Sequence, residues 1–161
     1  MYGLARTVRH FVSWPAFEQM LFPFAWLGLG ISRLVVIAVP FRSFAPCLGA
    51  SREASSWIPL LHAQAELRAL SIGKVVRVAA RYTPWTTNCF PQAITAAALL
   101  TLYRVPYSLF LGVQGNPGKL SAHAWVAAGR VRVTGGPGFG KLVVVGCFTR
   151  NVQTSSLPRT P

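Results

Sequence analysis

Hydrophobic positions run along this chain in two regimes, a helical one first and an alternating one after it. The longest apolar stretch is LFPFAWLGLGISRLVVIAV at 21–39, close in length to a membrane span. Pro23 near its start, the small residues Gly28, Gly30 and Ser32, and Arg33 inside it all weigh against a lipid-exposed crossing. It reads instead as a buried or interfacial helix of an N-terminal helical layer, with peripheral or integral membrane contact as the alternative. No small-residue cleavage site follows closely enough to suggest a secretory signal. Residues 40–51, PFRSFAPCLGAS, carry two prolines and a glycine and read as a connector. A helix is predicted over about 52–70, where Pro59 is a candidate break, and a second over 72–82, with Ile72, Val75, Val76 and Ala79 at helical spacing.

The clearest helix is CFPQAITAAALLTLYR at 89–104, with Ile94, Ala97, Ala98 and Leu102 expected on its buried face. Beyond it the period drops to two. YSLFLGV (107–113), HAWVAA (123–128), RVRVT (130–134) and LVVVGCF (142–148) read as strands, separated by glycine- and proline-rich turns at 116–118 and 135–140. The glycine run lacks the GK[ST] end of a phosphate loop. Helices followed by an antiparallel sheet predict an α+β domain. Residues 1–51 would form its hydrophobic helical lead-in and 52–150 its core. Residues 151–161 would be a flexible tail.

Charge narrows the partners. Sixteen Lys and Arg stand against three acids, Glu18, Glu53 and Glu66, for a net charge of +13, and there is no aspartate. The basic residues are scattered and no nucleic-acid motif is present, so an acidic peptide or protein fits the field better than nucleic acid does. Cys47, Cys89 and Cys147 form an odd set without CxxC spacing. That pattern suggests neither a disulfide framework nor a zinc site, and makes a reducing cytoplasm the default expectation.

Two residues are placed for chemistry. Cys89 opens the long helix behind Thr86, Thr87 and Asn88, any of which can cap it. A thiol there feels the positive end of the helix dipole, which favours the reactive thiolate, and first-turn N–H groups without intrahelical partners can receive an oxyanion. Pro91 is tolerated in that turn for the same reason. A buried structural cysteine is the competing reading. His123 falls 34 positions later on a strand, facing the same way as Trp125. It suits either a packed pair or the base of a Cys–His enzyme. His10 and His62 read as surface or packing residues.

The blocks RYTPWTTNCFPQAITAAALL, LGV, LSAHAWV and RVRVTGG with the closing strand carry a family likeness. The segment from about 72 to 148 closely resembles the transglutaminase-like leader peptidases of lasso-peptide biosynthesis. The resemblance implies a papain/transglutaminase-like α+β fold and a cysteine peptidase that removes the leader from a ribosomally made precursor peptide. It implies a separate leader-recognition protein and an ATP-dependent macrolactam cyclase as partners, and no metal or organic cofactor. Cys89 would be nucleophile and His123 general base and acid, while Gln92 would support the oxyanion or fix the helix end. Related enzymes often orient the histidine with an aspartate on the next strand. Here a turn near Gly129 would bring Thr134 to that place. Three arrangements stay open: a dyad helped by Thr134 or a backbone carbonyl, an orienting group such as Asn88 or Asn116 from elsewhere, and an inactive scaffold. Another thiol amidase or acyltransferase is the enzymatic alternative.

Overall fold

The structure is a computed structural model and describes residues 13–52, 58–116, 119–135 and 142–151. Helix α1 runs from Ala16 to Ala38, and the one-turn helix α2, Phe41–Phe44, follows Pro40. A 3-10 turn at Ala45–Leu48 leads into strand β1, Ala50–Arg52. Helices α3, Ala63–Arg81, and α4, Cys89–Leu102, precede strands β2, Tyr107–Asn116, β3, Lys119–Ala128, β4, Val131–Arg132, and β5, Val143–Arg150. The strands form one antiparallel sheet in the order β1-β5-β2-β3-β4. The fold is α+β, as the change of period implies, but the connector at 40–51 is not irregular: it folds into α2 and the 3-10 turn and opens the edge strand β1, paired with β5 through Ala50 and Thr149.

Helices α1, α3 and α4 pack together on one face of the sheet. Leu21, Ala25 and Leu29 of α1, Ala69, Ile72, Val75 and Val76 of α3, and Ala93, Ala96 and Leu100 of α4 join Leu109, Ala124, Val126 and Val133 in one core. The buried face of α4 is therefore centred on Ala93, Ala96, Ala97 and Leu100, while Ala98 and Leu102 face solvent and Ile94 is half-buried. The predicted pair of helices over 52–82 is a single α3 that starts at Ala63, after Pro59, and carries Gly73 without interruption. Residues 53–57, the glycine run and the expected tail from 152 lie outside the described residues.

Several buried polar groups are matched across elements. Thr95 Oγ1 donates to the Pro91 carbonyl at 2.8 Å and, with its only hydrogen spent, accepts from Ser32 Oγ at 2.9 Å. Glu18 receives Ser71 Oγ at 3.1 Å and pairs with Lys74, whose ammonium also lies over the Trp14 ring. Tyr107, fully buried, donates to the Leu48 carbonyl at 2.9 Å and so ties the connector to β2. These bonds fix α1 and the connector against the layer that presents Cys89.

Candidate active site

Cys89 is the first residue of α4 and is half-buried. The chain reaches it from α3 through a segment held by side chains. Thr83 Oγ1 lies 3.1 Å from the Ala80 carbonyl and 3.0 Å from that of Trp85, and Thr87 Oγ1 donates to Ala80 at 3.2 Å. Arg33 of α1 donates to the Thr86 carbonyl. Asn88 occupies the N-cap position with extended backbone but makes no side-chain cap bond. Gln92 Nε2 donates to the Thr87 carbonyl at 3.0 Å, and its N–H donates to the Asn88 carbonyl at 3.4 Å. Gln92 thus ties the first turn to the segment before it. With Pro91 lacking an N–H and Gln92's engaged, the N–H groups of Cys89 and Phe90 are the first-turn donors left for an incoming oxygen.

A cavity of about 340 Å³ opens at this helix end, lined by Cys89, Phe90 and Phe41, by Leu111, Gly112 and Val113 of β2, by Ala122, His123 and Ala124 of β3, and by Val145. Cys89 and His123 therefore share one wall system. Phe41, Phe44, Phe90 and Phe148 pack edge-on or tilted around its helix side, with ring centroids 5.2–6.1 Å apart. Nothing in the residue pattern pointed to Phe41, which stands in the connector, nor to Phe90 beyond its place next to the cysteine. Apart from Cys89 and the His123 position, the lining residues are apolar.

His123 sits opposite Gly112 in the β2–β3 register. Alternation puts Leu111, Val113, Ala122 and Ala124 on the face toward the helices, and His123 with Phe110 and Trp125 on the other. Its ring stacks beside that of Trp125, centroids 6.4 Å apart, and Trp125 stacks on Phe110 at 5.4 Å. A β-bulge against β5 falls between Leu111 and Gly112, at the level of His123. Bulges raise local twist and re-aim neighbouring side chains, and this one introduces Val145 into the cavity wall. A side chain at Gly112 would crowd the Trp125 ring, since a Cβ would lie 2.8 Å from Trp125 Cζ3.

Thr134 is not at the histidine's level. The β3–β4 register pairs Ala127 with Arg132 and Ala128 with Val131, two residues away from the pairing that a turn near Gly129 suggested. The Thr134 hydroxyl, fully buried, accepts the Val126 N–H at 3.2 Å and so secures the end of β4. Asn88 is exposed, and Asn116 lies at the end of β2. Among the described residues no group of His, Cys, Asp and Glu could hold a metal ion. Cys47 is exposed and Cys147 buried, and both are free thiols like Cys89. Burial pushes the Cys147 thiol up from the usual cysteine range, partly offset by Thr149 Oγ1 at 3.7 Å.

The family profile described as the transglutaminase-like superfamily matches residues 34–144, from the last turn of α1 to the start of β5. That is more than half of the chain and contains both Cys89 and His123. The chain belongs to the transglutaminase-like superfamily. Comparison with curated proteins and with solved structures gave no match. The superfamily includes cysteine peptidases and acyltransferases, so the transglutaminase-like domain described here has a fold that commonly serves cysteine-based acyl transfer.

Proposed function

We propose that this transglutaminase-like domain is a cysteine peptidase that removes the leader from a lasso-type precursor peptide. The observation that carries the reading is the shared cavity, with Cys89 at the N-terminus of α4 on one side and His123 of β3 on another. The sequence likeness of RYTPWTTNCFPQAITAAALL and LSAHAWV to leader peptidases supplies the substrate class.

The Cys89 thiolate attacks the scissile carbonyl carbon, and the oxygen, now negative, is received by the N–H groups of Cys89 and Phe90. The tetrahedral adduct collapses as the C–N bond breaks, and His123 gives the thiol's proton to the departing amine. Water, deprotonated by His123, then cleaves the thioester and restores the thiol. The His123 ring stacks beside Trp125 on the sheet face turned away from the helices, so the imidazole has to swing toward the cavity to come within about 2.6–3.2 Å of its partners. The apolar lining supplied by Phe41, Phe90, Leu111 and Val145 suits an aliphatic or aromatic substrate side chain beside the cleaved bond. Gln92 acts by fixing the helix start. The reaction needs no metal or organic cofactor. In the cytoplasm, a leader-recognition protein would present the precursor and an ATP-dependent macrolactam cyclase would use the product.

A second reading, a thiol amidase or acyltransferase, differs in the acceptor and the substrate but not in the first half-reaction. The deciding experiment mixes the protein with a precursor peptide and a leader-recognition partner and follows leader release by mass spectrometry. Cys89→Ala and His123→Ala are each expected to lower release at least about 10³-fold. Unchanged release in both would overturn the assignment. A wild-type chain that releases nothing and whose Cys89 reacts with iodoacetamide no faster than Cys47 would instead mark an inactive scaffold.

A further inference from the structure

The surface of α1 that faces away from the protein is wholly apolar. Met20, Phe24, Leu27, Ile31, Leu34 and Ile37 recur every three or four residues and are each between 55% and 70% exposed. Their spacing places them along one stripe of a 23-residue helix, a length of roughly 34 Å at 1.5 Å per residue. The opposite side of the same helix, Leu21, Ala25, Leu29 and Ser32, is buried against α3 and α4.

The polar side chains of α1 all point inward or along the protein. Glu18 pairs with Lys74 and Ser71, and Gln19 donates to the Trp14 carbonyl. Ser32 bonds Thr95, and Arg33 bonds the Thr86 carbonyl. None of these polar side chains belongs to the exposed stripe. A solvent-facing helix normally carries charge on its outer side, and an apolar strip of this length marks an interaction surface.

We infer that α1 lies in the plane of an anionic lipid surface, with this stripe immersed and the rest of the domain outside. A full crossing is disfavoured because α3 and α4 occupy one side of the helix. Between a second copy and a lipid surface, charge decides. The chain carries +13, so pairing two copies along α1 brings like fields together, whereas anionic headgroups attract them. Arg42 is exposed just beyond the stripe's C-terminal end. Phe41, at the same end, lines the Cys89 cavity, so a docked domain would carry out its chemistry close to the membrane surface. The inference stands independently of which acyl group the site takes.

The test is co-sedimentation of the full chain with vesicles of phosphatidylglycerol and phosphatidylcholine, and with phosphatidylcholine alone, at low and high salt. Binding is expected to favour the anionic vesicles by about tenfold or more and to weaken with salt. Leu27→Glu/Ile31→Glu should lower it at least about tenfold, while Leu102→Glu, an exposed apolar position on α4, should leave it within about twofold. Leu27→Ser/Ile31→Ser, which adds no charge, is run in parallel so that a folding defect in the first pair does not obscure the result. Absence of vesicle binding, or equal binding by wild type and both pairs, would overturn the inference. So would a wild-type dimer in size-exclusion chromatography that both pairs convert to monomer, since a second copy would then cover the stripe.

Discussion

The three cysteines differ in what surrounds them, and that difference can be measured. Cys47 is exposed on the 3-10 turn, Cys89 is half-buried at a cavity, and Cys147 is enclosed by Phe110, Ala127 and Trp125 on the far face of the sheet. Burial disfavours the Cys147 thiolate and raises its ionisation above the ordinary value of 9.0. The sign of the linkage follows: the folded state holds this proton more tightly than the unfolded one. The stabilising contribution is therefore fully present below pH 9.0 and is lost as pH rises through the higher folded value. Native protein treated with iodoacetamide at neutral pH should modify Cys89 and Cys47 and spare Cys147, as peptide mapping would record. In urea melts, the loss of stability above pH 9.0 should be smaller in Cys147→Ala than in wild type, measured relative to each protein's own value at pH 7.

Helix α3 illustrates how an element is fixed by what it packs against. A glycine in mid-helix costs about 1 kcal/mol relative to alanine, so Gly73 should invite replacement. Its Cα, however, passes directly beneath the strand layer: a Cβ would lie 2.6 Å from the Val133 carbonyl oxygen and 3.1 Å from Arg77 Nη1. That same carbonyl accepts Arg77 Nη1 at 2.7 Å, so neither atom can retreat freely. Gly73→Ala should lower stability by about 1–3 kcal/mol despite its better helix propensity, read as a lower urea midpoint with an unchanged slope. From sequence, the change of period after residue 104 was enough to place helices before strands, and the position of Cys89 at a helix start was legible from TTNCFPQ. The buried face of α4 was not. Its Ala- and Leu-rich sequence is apolar on nearly every side because the helix is covered by α1, α3 and the sheet together. Periodicity has nothing to distinguish in such a helix. The place of Thr134 was missed because register depends on which residues make the turn: Arg130 belongs to the turn with Gly129 rather than to the strand, so Ala128 pairs with Val131 and the position across from His123 falls beyond Thr134. Glu66, distant in sequence, pins that turn by accepting the Arg130 N–H at 3.2 Å.

At the scale of the molecule, charge and apolar surface are spread in a way that separates reaching a substrate from converting it. Of the three carboxylates, Glu18 pairs with Lys74 and Glu66 accepts the backbone N–H of Arg130, and the net charge remains +13. A second, open cavity of about 1050 Å³ beside the β1–β5 edge is lined by Arg42 and Arg150 and shares Phe41 with the Cys89 cavity. A peptide passing from one to the other would cross a basic region first and an apolar one at the bond to be cut. Screening acts mainly on the first step, because exposed charges lose their reach within about 10 Å at 0.1 M salt while bond-making at the half-buried thiol depends on contacts at bonding distance. For peptides of equal length cleaved at the same bond, kcat/KM for an acidic sequence should fall several-fold between about 0.05 and 0.5 M salt. A neutral sequence should change little, and kcat should hold for both. A parallel fall in kcat, or equal sensitivity of the neutral peptide, would place the effect of salt in the fold or in the chemical step and leave the positive charge without a part in substrate capture.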